Sequence, residues 1–224
     1  MEAHGFPLVA APDGTSRLVP SRFPPVSAFE RVAAADDLET VMELEGWTND
    51  RLTAHRLFML DQSEWVYGRP NASVVMAAFM HGSRTGMRFS GTDLGAWYCS
   101  TELMTAVLEV ANGMRKEIAV SGVARLTSEY RQYTADLAGD YVDVSGDPSY
   151  SDPSEATYAK GQALGHEVRF GEQASGIRYN SARRKGHDNW VCYRPTHVQN
   201  VTQADHFEID VPPTGKVVVR KLSD

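Results

Sequence analysis

Cysteine is nearly absent. Cys99 and Cys192 are the two in 224 residues, each inside an apolar, strand-like run, and two distant thiols make no framework of the kind that staples small secreted domains. They read as reduced, buried groups, and a cytoplasmic location is expected. Also missing is any apolar run of about 18 residues, the length a membrane-crossing helix needs. The opening residues lack a basic stretch followed by an apolar one, so neither export nor membrane spanning is expected. Positive charge is in deficit: 22 Lys+Arg against 29 Asp+Glu leave a net charge of -7. That balance argues against nucleic acid or an anionic membrane as a direct partner, because both reward a basic surface with released counterions. Three site grammars are missing too: a Gly-rich phosphate loop, metal spacing of Cys and His, and a nucleophile elbow. Neither thiol has a nearby base in the sequence that would make it reactive.

What remains is an ordinary globular composition, 42% hydrophobic and 23% charged, sufficient for one large core. Residues 1–28 carry Pro7, Pro12, Pro20, Pro24 and Pro25, a spacing that reads as a mobile or loosely draped arm. Residues 29–224 are expected to form a single domain. Asp36-Asp37-Leu38-Glu39 opens a helix to about Leu44, and a second helical piece from Asp50 to about Met59 completes an N-terminal helical extension over 36–59. Ser73 to His81 is a continuous apolar run, ambiguous between buried strand and buried helix and read as helix or mixed. Phe89 and Ala96-Trp97-Tyr98-Cys99 read as strands around a turn. Thr101 to Arg115 reads as a helix capped by Ser100 or Thr101. Glu129 to Leu137 alternates in the strand sense, with Tyr141 to Val144 as its continuation or partner. A helix from Ser154-Glu155 to about Phe170 should turn Tyr158, Ala163, Leu164 and Val168 inward. Gly176 to Tyr179 and Trp190 to Tyr193 form a strand pair, and residues 201–222 a C-terminal hairpin on Pro212-Pro213-Thr214-Gly215. The fold class is α+β, with a mixed or antiparallel sheet core and flanking helices.

The chemistry-bearing stretch is Met87 to Val110. Arg88, flanked by Met87 and Phe89, must face an anion or water; a structural carboxylate is as good a partner as a ligand. Tyr98 and Trp97 suit a core or a stacking platform. Glu109 fits a solvated helix stripe or a functional carboxylate. His81, ending its apolar run, reads as a structural histidine or a pocket donor. Ser181-Ala182-Arg183-Arg184-Lys185-Gly186-His187 is basic within an acidic chain, a solvated hairpin tip or a local attraction for phosphate.

Arg88-Phe89-Ser90, Tyr98, Thr105-Ala106-Val107-Leu108-Glu109-Val110 and Gly176-Ile177-Arg178-Tyr179-Asn180-Ser181-Ala182-Arg183-Arg184, in that order, resemble the arginine, glutamate and serine segments of the RES domain family. The strand Trp190 to Pro195 closes the set, and the likeness covers roughly residues 66–197. The resemblance implies an ADP-ribosyltransferase-like core and a toxin of a toxin–antitoxin pair, held inactive by an Xre-type antitoxin protein. It implies an enzyme that cleaves the nicotinamide–ribose bond of NAD, as a glycohydrolase or as a phosphorylase with inorganic phosphate as co-substrate. A mono-ADP-ribosyltransferase acting on a protein target is the alternative, and a catalytically silent module that engages an antitoxin is the second. NAD is substrate, with no permanently bound cofactor and no metal expected, and a homo-oligomer is left open. By resemblance Glu109, Arg88 and Ser181 are the catalytic candidates, and Arg88, Tyr98, Ser181 and His81 the NAD-binding ones. Met87 stands where many members carry Gly or Ser, which implies a different approach of substrate to Arg88, and Trp97 where a smaller residue is common, which implies a narrowed pocket.

Overall fold

Residues 2–20 carry three strands, not the loosely draped arm expected over 1–28. In the computed structural model, which describes residues 2–22, 27–38, 40–41, 54–83, 85–152, 154 and 158–223, β1 (Glu2–Ala3), β2 (Phe6–Ala10) and β3 (Thr15–Pro20) all join the main sheet. Pro24 and Pro25 lie outside the described residues; the other three prolines sit where strands tolerate them, at an end, in a turn or near an edge, because no ladder N–H is required there. Pro20 ends β3, Pro12 lies between β2 and β3, and Pro7 faces the two-residue edge strand β1.

The remaining strands are β4 (Trp97–Ser100), β5 (Leu126–Leu137), β6 (Asp140–Asp143), β7 (Gly176–Asn180), β8 (Asp188–Cys192), β9 (Val198–Val211) and β10 (Val218–Lys221). The ten run in the order β1-β2-β6-β7-β8-β4-β3-β5-β9-β10. Every named pairing is antiparallel except that of β6 with β7. Apart from the helical residues 35–38 and 40–41, the α-helices among the described residues are the short α1 (Ala54–Leu57), α2 (Ala72–Met80), α3 (Leu103–Ser121) and α4 (Tyr158–Phe170). The chain is thus α+β, a large and mostly antiparallel sheet with a few helices.

Strand alternation assigns the faces. Trp97, Cys99, Trp190 and Cys192 enter one core with α2, Leu57 and Leu60. On the opposite face, Leu18, Tyr130, Phe207 and Ile209 pack with Ala106, Val107, Ala111 and Met114 of α3. Val142, Ile177, Tyr179 and Val191 pack with Leu164 and Val168 of α4. So α3 and α4 flank each other on one side of the sheet.

Several local expectations are corrected. Phe89 lies in a turn closed by the Met87↔Ser90 bridge, not in a strand. β6 pairs with β2 and β7 rather than with β5, because β2 fills the edge the sequence left open. The N-cap of α3 is Glu102, with no side-chain capping bond, since its carboxylate is engaged by Arg184 and His187. Ala163 is exposed, and the buried face of α4 is Gly161, Leu164, Gly165, Val168 and Arg169. The run at Ser73 to His81 is helical, which its length and continuous burial permit. Residues 35–38 and 40–41 are helical as expected, while 42–53 and most of the expected start of α4 fall outside the described residues.

Candidate active site

The gap between α3 and α4 is a cavity of about 630 Å³, within the roughly 300–1,000 Å³ range of small-molecule sites. Its floor follows from alternation. With Trp97 and Cys99 committed to the opposite core, Tyr98 and Ser100 face the gap, and Asn189 lies opposite Ser100 on β8. Arg88, Tyr98, Glu109 and His81 all line it. Trp97 is fully buried on the other side of the sheet and is not part of the wall, so it does not narrow the approach.

Arg88 is carried by a turn that sits directly on α4. Met87 N donates to Ser90 O at 2.7 Å, and Gln162 Nε2 of α4 donates to Met87 O at 3.0 Å. Two glycines one helical turn apart make the approach possible: a Cβ at Gly161 would lie 2.3 Å from Arg88 O, and one at Gly165 would lie 2.0 Å from Phe89 O. Tyr193 Oη donates to the same Phe89 carbonyl at 2.6 Å. Arg88 Nη1 donates to Tyr150 O at 2.9 Å, and its guanidinium lies 5.9 Å from the ring centroids of both Tyr158 and Tyr179. The cation is therefore held on aromatic faces, with most of its donors uncommitted among the described residues.

Tyr98 ties the floor to this turn. Its hydroxyl accepts from Phe89 N at 3.2 Å and lies 3.0 Å from Ser90 Oγ. Burial pushes its pKa up to about 12, so it is a neutral phenol across the physiological range. Tyr179 is raised well above the usual phenol value, first by burial and then by the charge of Glu109.

Glu109, on the cavity side of α3, is gripped by one oxygen. Oε1 accepts from Ser181 Oγ at 2.7 Å and from Asn189 Nδ2 at 2.8 Å. Ser100 Oγ donates to Asn189 Oδ1 at 2.6 Å, which leaves the amide nitrogen to face the carboxylate. Oε2 has no hydrogen-bond partner among the described residues. Ser181 stands behind Glu109 rather than on the cavity wall, and its oxygen also accepts from the backbone N–H groups of Arg183 and Arg184 at 3.2 and 3.1 Å. In the basic segment, Arg184 is spent on Glu102 and Thr105, and Arg183 reaches the cavity.

Sequence reasoning missed Asn189, Ser100 and Arg17. A polar residue in phase with Tyr98 and Val191 on paired strands was the available signal for the first two. Among the described residues no group of three or more His, Cys, Asp or Glu could hold a metal ion. Both cysteines are free and buried, and burial pushes Cys99 up to about 12 and Cys192 up to about 11, as inert thiols require. No helix of the described residues is long and apolar enough to cross a membrane.

A curated relative, the uncharacterized protein y4oC of Sinorhizobium fredii, is 29% identical over 147 residues, covering 58% of this chain and 62% of that protein. The chain therefore spans less than two thirds of that relative's length. The RES domain model matches residues 54–212, a segment that carries the turn of Arg88, the floor of Tyr98 and Asn189, and the Glu109–Ser181 pair. By that match, which takes in most of the sequence, the chain belongs to the RES domain family.

Proposed function

We propose that this chain cleaves the nicotinamide–ribose bond of NAD, releasing nicotinamide and passing the ADP-ribosyl group to water or inorganic phosphate. The observation that carries this reading is the half-held Glu109: one oxygen fixed by Ser181 and Asn189, the other uncommitted at the wall of a cavity that also presents Arg88.

The bond breaks with its electron pair moving to the pyridinium nitrogen, so neutral nicotinamide departs and positive charge develops on C1′ and the ring oxygen of the ribose. A fixed carboxylate stabilises that charge in the transition state more than in the ground state, which is the requirement for catalysis over mere binding. Glu109 Oε2 serves that role and accepts a hydrogen bond from a ribose hydroxyl. Water then attacks C1′ and loses a proton, or phosphate attacks and gives a sugar phosphate. Arg88, held on Tyr158 and Tyr179, binds an anionic oxygen of the pyrophosphate. Tyr98 keeps the Arg88 turn against the floor and offers an apolar ring to the nicotinamide end. The sheet with its two flanking helices is the ADP-ribosyltransferase-like core of this reading, and an Xre-type antitoxin is its protein inhibitor.

The test is release of nicotinamide from NAD by the purified chain, with and without inorganic phosphate, beside Arg88→Ala and Glu109→Ala. Loss of NAD with wild type alone is the expected result, and phosphate dependence names the acceptor. A folded wild type that leaves NAD intact in both buffers, or a Glu109→Ala variant as fast as wild type, overturns the reading.

A further inference from the structure

The cavity reaches a cation that the family segment does not contain. Arg17 lies on β3, outside residues 54–212, yet it lines the same cavity as Arg88 and Glu109. Alternation places it on the far face of the sheet, with Trp97, Cys99 and Tyr133. It is reachable because β3 and β4 share one paired position, Ser16↔Ser100, and diverge beyond it. The cavity lining takes in Ser16 and Arg17 of β3 beside Cys99 and Ser100 of β4 at that point, so the cavity reaches the Arg17 side chain between the two strands.

What holds Arg17 in place uses little of it. Nη1 donates to Tyr98 O at 2.9 Å, replacing the ladder bond that the diverging strand does not supply, and the guanidinium lies 4.9 Å from the Trp97 ring centroid. Nε is buried with no hydrogen-bond partner, and no carboxylate pairs with the side chain among the described residues. Burial pulls its pKa down to about 10, which still leaves it charged at neutral pH. A neutral donor would have served the Tyr98 carbonyl alone. Retaining a half-buried cation with a buried, unpartnered Nε and no counter-ion is costly, and an anion entering between the strands offsets that cost.

We propose that Arg17 is a second anion-binding residue of the cavity, taking a phosphoryl oxyanion at the slot between β3 and β4. This rests on the NAD reading above and deepens it. Arg88 sits on the α4 side and Arg17 on the β3 side, so the two cations receive different phosphoryl groups or different oxygens of one. The oxyanion has two sources, the pyrophosphate of the dinucleotide and a free phosphate co-substrate.

The test is calorimetric titration of the full chain with inorganic pyrophosphate and, separately, inorganic phosphate. Wild type is compared with Arg17→Gln, Arg17→Lys and a control, Arg220→Gln, whose side chain is exposed and paired with Glu208 outside the cavity. The expected result is a loss of at least about tenfold in affinity for one of the two anions in Arg17→Gln, a smaller loss in Arg17→Lys, and none in the control. In the nicotinamide assay, a raised KM for NAD identifies the pyrophosphate as the source, and a raised KM for phosphate identifies the co-substrate. Should Arg17→Gln fail to fold, Arg17→Lys decides, because it keeps the charge and a donor to Tyr98 O for folding but loses the planar fork of donors that grips an oxyanion; an affinity equal to wild type then overturns the proposal. Wild type that binds neither anion, or Arg17→Gln that binds both as wild type does, also overturns it. Because these titrations contain no NAD, they stand or fall separately from the cleavage reaction.

Discussion

Replacing Ser181 by alanine separates two roles that the sequence could not tell apart. If Ser181 holds substrate, the change weakens NAD binding. If it holds Glu109, as its 2.7 Å bond to Oε1 indicates, the change lowers turnover and leaves binding nearly alone. A hydrogen bond to a charged group is worth about 1.5–3 kcal/mol, which corresponds to roughly ten- to a hundredfold in rate if it acts only in the transition state. Asn189 keeps its 2.8 Å bond to the same oxygen, so Glu109 is loosened and not released, and the lower half of that range is the expectation.

The partner change is Glu109→Gln. Its amide oxygen still accepts from Ser181 and Asn189, so the shape is retained and the charge removed. A unit charge at about 4 Å from the developing cation, in a medium of effective dielectric near 20, is worth about 4 kcal/mol, or roughly a thousandfold in kcat. Once that charge is gone, positioning it has little left to contribute: Ser181→Ala in the Glu109→Gln background should slow the enzyme by less than about threefold. Steady-state nicotinamide release over a range of NAD concentrations, for wild type, both single variants and the double, measures all of this. A Ser181→Ala variant with unchanged kcat and a several-fold higher KM, or full additivity of the two changes, would refute the positioning argument.

Gly165→Ala places a methyl against the Phe89 carbonyl and should lower stability by about 1–3 kcal/mol, read as a fall in melting temperature of roughly 2–12 °C; an unchanged melting temperature would show that the turn does not rest on α4. The buried thiols make the fold alkali-sensitive. Their folded values, about 12 for Cys99 and about 11 for Cys192, lie above the ordinary thiol value of 9.0. The native state therefore binds more protons than the unfolded state, and stability present below pH 9 is lost as pH rises toward 11 and 12, by up to about 1.4 kcal/mol per pH unit for each thiol. Urea midpoints at pH 8 and 10.5 should fall accordingly, and a thiol reagent at pH 8 should label neither cysteine until denaturant is added; equal midpoints or rapid native labelling would contradict the burial.

Much of the candidate cavity wall was legible because it is local. Arg88, Tyr98 and Glu109 lie on one continuous turn–strand–helix unit, and the period of each element fixes which way their side chains face. The α+β class was readable for the same reason, since β5, β7, β8 and the C-terminal hairpin each carry their own alternation. What failed was long-range. The two-residue β1 and the proline-bearing β2 offer no signal of their own, and β3 becomes a central strand only through Thr15↔Ala135 and its neighbours. With β3 read as part of an arm, Arg17 could not be placed. The bond from Ser181 to Glu109 was hidden likewise, because the two stand 72 positions apart in sequence and meet only on folding.

That long-range strand bears on how much of the chain the proposed activity needs. The family segment, residues 54–212, omits β3, which stands between β4 and β5 and pairs with β5 at six positions. At about 1 kcal/mol for each of roughly six ladder bonds, plus about 1.5–3 kcal/mol for the buried Leu18 side chain, its removal costs roughly 8 kcal/mol. That is comparable with the whole stability of an ordinary domain, about 5–15 kcal/mol. Residues 54–212 expressed alone should therefore lack a cooperative thermal transition, whereas addition of residues 1–53 in cis should restore one. A cooperatively melting 54–212 fragment would mean that β4 and β5 close on each other without β3, and the slot that exposes Arg17 would then be an ornament of the fold and not a wall of its site.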